Sequence, residues 1–486
     1  MLAQFDGNTG DEPLFWQTQG KLCQAPTLLQ NGLLLVGQSF FPDSSHSELT
    51  AFNTHVRSAA PPVWTSTGTA GTPMADALFG ATAVRCTSTY YIFIADLAGH
   101  VYRLSGTDPM MSGQWPTLGC GNRRAGKSIT YPTAIAELPP FYANSATDVH
   151  GVDLFGRAVG QAYGYYDGAC GFSDVGYAAA LWRNSSVSVP GGCSGSSYLA
   201  NTYANAINGF GDVVGYYSSS AIAWPDGANS STFFTTLPAP TGFTSAIAYD
   251  INEQSTIIGS GTIGAGTHVL RWEKSGSTWP TPQDLNAPAG GSASAYAITD
   301  DGRIAGRAKF TSGGPLHAFN TDQGPVDLAS EAHDLATMGG TASEAWEMHD
   351  LKGTVGRSQI ATGYWRGFLL PLSAPNLGNS AIYEICGLPG VTRSDWNSAA
   401  YGVNRFGQVV GYAQNQSLAS RAVLYSDVTG TTTDLNNLVL DGGQTPASLG
   451  WTLTSARAIN DFGVIVGAGV LGGYAKSWIL YPKCQD

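Results

Sequence analysis

The feature that most constrains this chain is a phrase it keeps repeating. "AINGFGDVVG" at 206–215, "AITDDGRIAG" at 297–306, "GVNRFGQVVG" at 402–411 and "AINDFGVIVG" at 458–467 share one pattern. Taking the residue at the Asn position as a marker gives Asp153, Asn208, Asn252, Thr299, His349, Asn404 and Asn460, at steps of 55, 44, 47, 50, 55 and 56. A glycine follows seven residues later every time, at Gly160, Gly215, Gly259, Gly306, Gly356, Gly411 and Gly467. A period of this length with strand-like content predicts propeller blades, because a helical solenoid would space its apolar residues at about 3.6.

Each unit reads as a small antiparallel sheet. Its first strand ends at an apolar residue, and the marker then opens a hairpin turn. Asn tolerates left-handed backbone and bonds to its own turn, while Gly supplies a positive φ. The structural turn residues expected from this are Asn208 with Gly211, Asn252, Asn404 with Gly407, and Asn460 with Gly463. A second strand alternates around Val and Ile, and its closing Gly lets neighbouring backbones approach. A third strand carries an aromatic residue at Trp182, Trp224, Trp272, Tyr425 or Tyr481, expected to pack between blades. A fourth element ends in an apolar residue, assigned to Val189, Leu237, Leu285, Leu328, Leu388 and Leu435.

The seventh such element, "PTAIAEL" ending at Leu138, precedes the first marker. The array therefore starts with its fourth strand and stops after its third, at "SWILYP". The expected fold is all-β: a seven-bladed β-propeller closed by an N-terminal velcro strand, which removes an exposed sheet edge.

This repeat resembles the HAF family, probable extracellular repeats whose name is spelled at His317, Ala318 and Phe319. The resemblance covers roughly 130–483. "INEQSTIIG" departs from it by lacking the turn Gly, and "MHDLKGTVG" displaces that Gly by one position. Membership would imply a secreted or cell-surface location and no established reaction.

A different repeat occupies the first part of the chain. "LAQFDGNTGDEPLFW", "LTAFNTHVRSAAPPVW" and "VYRLSGTDPMMSGQW" align at Trp16, Trp64 and Trp115 and resemble blades of quinoprotein-like (PQQ-type) propellers. "LLLVG" at 33–37 and "YIFIAD" at 91–96 supply preceding strands. Residues 1–128 are accordingly expected to be partial propeller blades truncated upstream, and 129–486 the seven-bladed HAF-repeat propeller. The Gly-rich stretch "TLGCGNRRAGKSI" at 117–129 marks the boundary.

Composition narrows the partners. Only 12% of residues are charged, 62 are Gly, and the net charge is -12 with no Lys/Arg cluster, which argues against nucleic acid as a partner. No apolar run reaches the roughly 18 to 20 residues of a membrane span. The seven cysteines are too scattered for paired CxxC zinc chemistry. Cys170 and Cys193 flank one strand-rich segment and either form a disulfide, implying an oxidising compartment, or serve as free small core residues.

Candidate chemistry is sparse. No His pair has ligand spacing; His268 and His317 read as polar caps on strand ends, and His349 as a turn residue standing where Asn usually sits. Glu331, Asp334, Glu344, Glu347 and Asp350 fall in one insertion-like stretch, read as a solvated acidic loop rather than a glycosidase pair. "ITDDG" and "NTDQG" offer oxygen ligands without the alternating calcium loop, so no catalytic residue, cofactor or metal ligand is assigned, and calcium stays open. Tyr163, Tyr165, Tyr166, Tyr216 and Tyr217 follow second-strand glycines, placed to pack between blades or to stack on sugar rings.

The expectation is a secreted or cell-surface binding module for a glycan, protein or matrix partner. The alternatives are a carbohydrate-active or quinoprotein-type propeller enzyme, and a surface-layer or filament subunit that self-associates through its N-terminal blade edges.

Overall fold

The computed structural model describes residues 132–141, 145–164, 176–183, 186–190, 201–225, 234–276, 278–322, 324–374, 376–378, 383–385, 387–427, 429–440 and 442–482, together with ten N-terminal strands. The chain divides into two compact units, Met1–Ser128 with Cys484–Asp486, and Ile129–Lys483.

In the first unit the described strands are all antiparallel. Leu2–Gln4 pairs with Leu14–Trp16. A second sheet is built on Leu33–Ser39 and Ser47–Asn53, and a third runs through Leu78–Cys86, Thr89–Asp96 and Val101–Gly106. "LLLVG" and "YIFIAD" lie within these strands, and Trp115 lies outside the described residues.

The second unit is a seven-bladed β-propeller. Its inner strands are Thr147–Val152, Thr202–Ile207, Phe243–Ile251, Ala293–Ile298, Gly339–His349, Ser398–Val403 and Trp451–Ile459. Each contacts the next, and the last contacts the first, so they ring an axis. The ring closes in the expected way: Pro132–Leu138 pairs antiparallel with Tyr474–Pro482, Ala136 opposite Ile479 and Glu137 opposite Trp478, completing blade seven. Trp182, Trp224, Trp272 and Trp478 are fully buried, each packed on the preceding blade. Trp478, for example, joins Val410 and Leu424 of blade six.

The marker turns show why Asn recurs. The Oδ1 of Asn404 accepts from the backbone N–H of Phe406 and Gln408, closing its own hairpin. Its Nδ2 donates 3.3 Å to the carbonyl of Asn460, the marker of the next blade. Asn208 reaches Asn252, Asn252 reaches Thr299, and Asn460 reaches Asp153 in the same way. A carboxylate has no hydrogen to donate, and where Asp153 stands Arg157 supplies it, its Nη2 donating to the carbonyls of Asn208 and Gly209. Gly211, Gly407 and Gly463 adopt φ of 93°, 72° and 79°. In the blade lacking the turn Gly, Ser255 takes φ 57°, and in the displaced one Gly353 takes 118°.

Two fourth strands differ from the sequence assignment. In blade four the strand is His333–Asp334, with the Leu335 N–H donating to Ala318, because Asp327 caps a helical turn at Leu328–Glu331 instead. In blade five it is Tyr383–Glu384, and Ile385 rather than Leu388 holds the equivalent bond, to Gly367. Cys170 and Cys193, along with Tyr165 and Tyr166, lie outside the described residues.

Candidate functional site: a belt of bulged residues around the axis

Each of the seven inner strands carries a β-bulge at one position, three residues before its marker. The bulged residues are His150, Asn205, Tyr249, Tyr296, Trp346, Tyr401 and Arg457. A bulge sets one residue outside the ladder and re-aims its side chain. Around a ring of inner strands the re-aimed side chains meet neighbours from the next blade, and all seven keep accessible surface.

The contacts run nearly unbroken round the ring. His150 Nδ1 lies 2.9 Å from the Ala204 carbonyl, and Asn205 Nδ2 donates to the Ala248 carbonyl at 2.7 Å. Tyr249 meets Tyr296 edge to face at 5.0 Å, Trp346 lies 4.8 Å from Tyr401, and Arg457 sits 5.2 Å over the Tyr401 ring. Between Tyr296 and Trp346 two second-strand arginines join in. Arg307 Nη1 donates to Glu344 Oε1 at 2.6 Å, and Arg357 Nε donates to Glu344 Oε2 at 3.0 Å. Arg357 is held between the rings of Trp346 and Trp365, at 4.9 and 4.2 Å. Tyr216 stacks flat on Tyr203 with ring centroids 4.3 Å apart.

Burial, with the neighbouring phenol, pushes Tyr249 and Tyr216 up to about 12, so both remain hydroxyl donors at neutral pH. Asp148 is held below its ordinary range: burial works to raise it, but the hydrogen bond and charge of His150 and the charge of Arg457 outweigh that.

The stretch read as an acidic loop is instead the inner strand of blade five and its flanks. Glu344 faces Arg307 and Arg357, Asp334 pairs with His317 at 3.0 Å and accepts from the Ala336 N–H at 2.7 Å, and Glu331 Oε2 accepts from the Val326 N–H. His268 and Asp284 form the same pair one blade earlier, at 3.1 Å, which is how a His at the start of the third strand is satisfied. His349 Nδ1 accepts from the Leu351 N–H, standing in for the Asn oxygen. Tyr163 packs edge-on against Tyr177, and Tyr217 lies near Phe234. Among the described residues no three His, Cys, Asp or Glu side chains gather as metal ligands.

Immediately after two of the bulges come acids where the other five blades have Gly or Ala. Asp250 accepts from the Ile298 N–H of the next blade and from its own Ile251 N–H, both at 2.8 Å. Glu347 accepts from the Met348 N–H at 3.0 Å. Burial raises both, Asp250 to about 7 and Glu347 to about 8, the latter also by the charge of Asp250. Unfolded carboxyls release their protons near pH 4. Between there and pH 8 the folded state therefore binds more protons, so the stabilisation is complete below about pH 4 and is lost as pH rises through the folded values. The melting temperature is expected to decline steadily from pH 5 to pH 8, and Glu347→Gln to flatten that decline; parallel curves for the two proteins would contradict it.

Thus the fold and site define a class: a β-propeller with an aromatic and guanidinium belt around its axis. Similar solved structures include an oligogalacturonate lyase in complex with manganese, 9% identical with a TM-score of 0.40, covering 73% of this chain and 96% of the lyase. A prolyl endopeptidase is 11% identical at a TM-score of 0.34; this chain covers about half of its length, 54%, with 81% of its own. The WD40 domain of SCAP from fission yeast is 9% identical at 0.27, covering 95% of both chains. None is close enough to carry an argument about activity. No family model and no curated protein matches the chain. No helix among the described residues is long and apolar enough to cross a membrane.

Proposed function

We propose that the propeller is a glycan-binding module of the secreted or cell-surface kind that its HAF-like repeats imply, and that the axial belt is its binding site. The observation that supports this is the alternation of partly accessible aromatic side chains, Tyr249, Tyr296, Trp346 and Tyr401, with Arg307, Glu344, Arg357 and Arg457 on the same ring. Aromatic faces take the C–H side of a sugar ring, and charged planar groups take its hydroxyls, which is the mix of apolar wall and few oriented polar groups that small-molecule sites use. The repeated turn residues, closing glycines and third-strand tryptophans are explained by folding.

The test is a glycan array followed by calorimetry. Trp346→Ala is expected to weaken the best ligand by about 2 kcal/mol, roughly 30-fold, as a central aromatic anchor does. Uniform silence on the array, or full affinity in the variant, would defeat the reading. An enzymatic reading is favoured by the placement of two carboxyls beside the belt, Asp250 and Glu347, which burial raises, since an acid catalyst needs a carboxyl that holds its proton. Mass spectrometry of the bound glycan after incubation separates the two: intact ligand is expected, and shortened chains would mark an enzyme.

A further inference from the structure

We infer that the belt selects an acidic glycan, taking the anionic group of one sugar on Arg457. The inference rests on the glycan-binding reading and adds the ligand's charge.

The argument starts from how differently the three axial guanidiniums are satisfied. Arg307 and Arg357 share Glu344, which holds both at salt-bridge distance. Arg457 has no carboxylate at that distance among the described residues, and its Nε is buried without any hydrogen-bond partner. Asp148, whose carboxyl feels the charge of Arg457, is engaged by His150 at 3.5 Å. The Arg457 charge is thus left without a paired acid among the described residues, and a carboxylate or sulfate reaching its planar fork satisfies it better than any neutral acceptor.

Geometry fixes what kind of anion. Arg457 is the bulged residue of blade seven, at the same place on the ring of inner strands as the other six, and it lies over Tyr401, itself 4.8 Å from Trp346. An anion on Arg457 would sit beside the accessible parts of two aromatic side chains, Tyr401 and Trp346, suited to the ring that carries it. A free inorganic anion would leave that apolar edge unused, whereas a sugar bearing a carboxylate or a sulfate uses both the charge and the edge. The chain as a whole is at -12, so attraction of an acidic ligand has to arise at this ring rather than from the general surface.

The experiment is calorimetry on the full chain with three probes: a uronic-acid tetrasaccharide, the same tetrasaccharide with its carboxyls reduced to alcohols, and a sulfated tetrasaccharide of otherwise neutral sugars. At least one anionic probe is expected to bind tenfold or more tighter than the reduced one. Arg457→Gln should bring that probe down to the level of the reduced sugar, and Arg457→Lys should restore part of the difference, with unchanged melting temperatures as the check on folding. Preference for the uronate assigns a carboxylate, and preference for the sulfated probe assigns a sulfate; either supports the acidic class. If the reduced sugar binds as tightly as the others and Trp346→Ala abolishes all three, the acidic assignment falls while the glycan site stands. If nothing binds, both fall. Should Arg457→Gln not fold, equal affinity of wild type and Arg457→Lys for reduced and anionic probes overturns the proposal.

Discussion

Gly215→Ala is expected to cost about 3 kcal/mol or more of stability, read as a lowered urea midpoint, although it adds one methyl group to a strand. An added Cβ there would stand 1.7 Å from the carbonyl oxygen of Tyr203. That oxygen belongs to main chain on the paired strand, just ahead of the bulge, so it has no rotamer by which to retreat. The other six closing glycines meet the equivalent carbonyl at 1.9 to 2.2 Å, Gly411 against Ala399 and Gly467 against Ser455 among them. The repeated glycine and the bulge are thus two halves of one device: the bulge drives the inner strand toward the second strand, and only a residue without a side chain leaves room. Gly324→Ala is the control, because a Cβ there meets nothing closer than 3.6 Å at an ordinary φ, and it should be neutral within about 0.5 kcal/mol. Equal effects at the two positions would refute the argument.

The same device decides what the sequence discloses. Blade count, the turn residues and the closing strand are legible because folding demands one residue type at one place, and repetition makes that demand visible: Asn404 closes its turn and bridges to the next blade at once, so neither Ser nor Asp serves equally. The belt is illegible for the opposite reason. Between an Ala or Val four before the marker and an Ile, Val or Met one before it, the bulged position holds His, Asn, Tyr, Tyr, Trp, Tyr and Arg, which reads as noise. Aligned on the markers, that variation inside an otherwise uniform strand was the available signal, since a residue freed from packing can be specialised. Sequence alone does not separate the fourth strand of blade four from its neighbour, because "VDL" and "HDL" carry the same local chemistry. Asp327 spends it on capping a helical turn through the Ala329 N–H, and only pairing with Phe319 distinguishes the true strand at Asp334. Glu344 and Glu347 looked solvated because an inner strand facing a polar axis has the composition of a loop.

Ala136→Pro combined with Leu138→Ala should do the largest damage of any small change, lowering unfolding free energy by about 4 kcal/mol or more and increasing association relative to the wild type. Ala136 lies opposite Ile479 in the strand that completes blade seven, and a proline there both removes a ladder donor and strains the pairing. Leu138 is 1% exposed, packed with Val149, Trp182, Val466 and Ile479, so it joins the closing strand to blades one and seven together. Two further bonds depend on the same segment: Trp182 Nε1 donates to the Pro139 carbonyl at 2.7 Å, and the enclosed Lys476 ammonium rests 2.8 Å from Glu137. Displacing the strand strands that ammonium without a counter-charge and leaves Tyr474–Pro482 as a bare edge, which is why association should accompany the loss of stability. Light scattering with urea unfolding measures both effects. A complementary pair of cysteines, Ala136→Cys with Ile479→Cys, should cross-link on oxidation, whereas Ile135→Cys with Ile479→Cys should not, because adjacent residues of a strand face opposite sides. A chain that tolerates the proline, or that cross-links equally in both registers, is not closed by this strand.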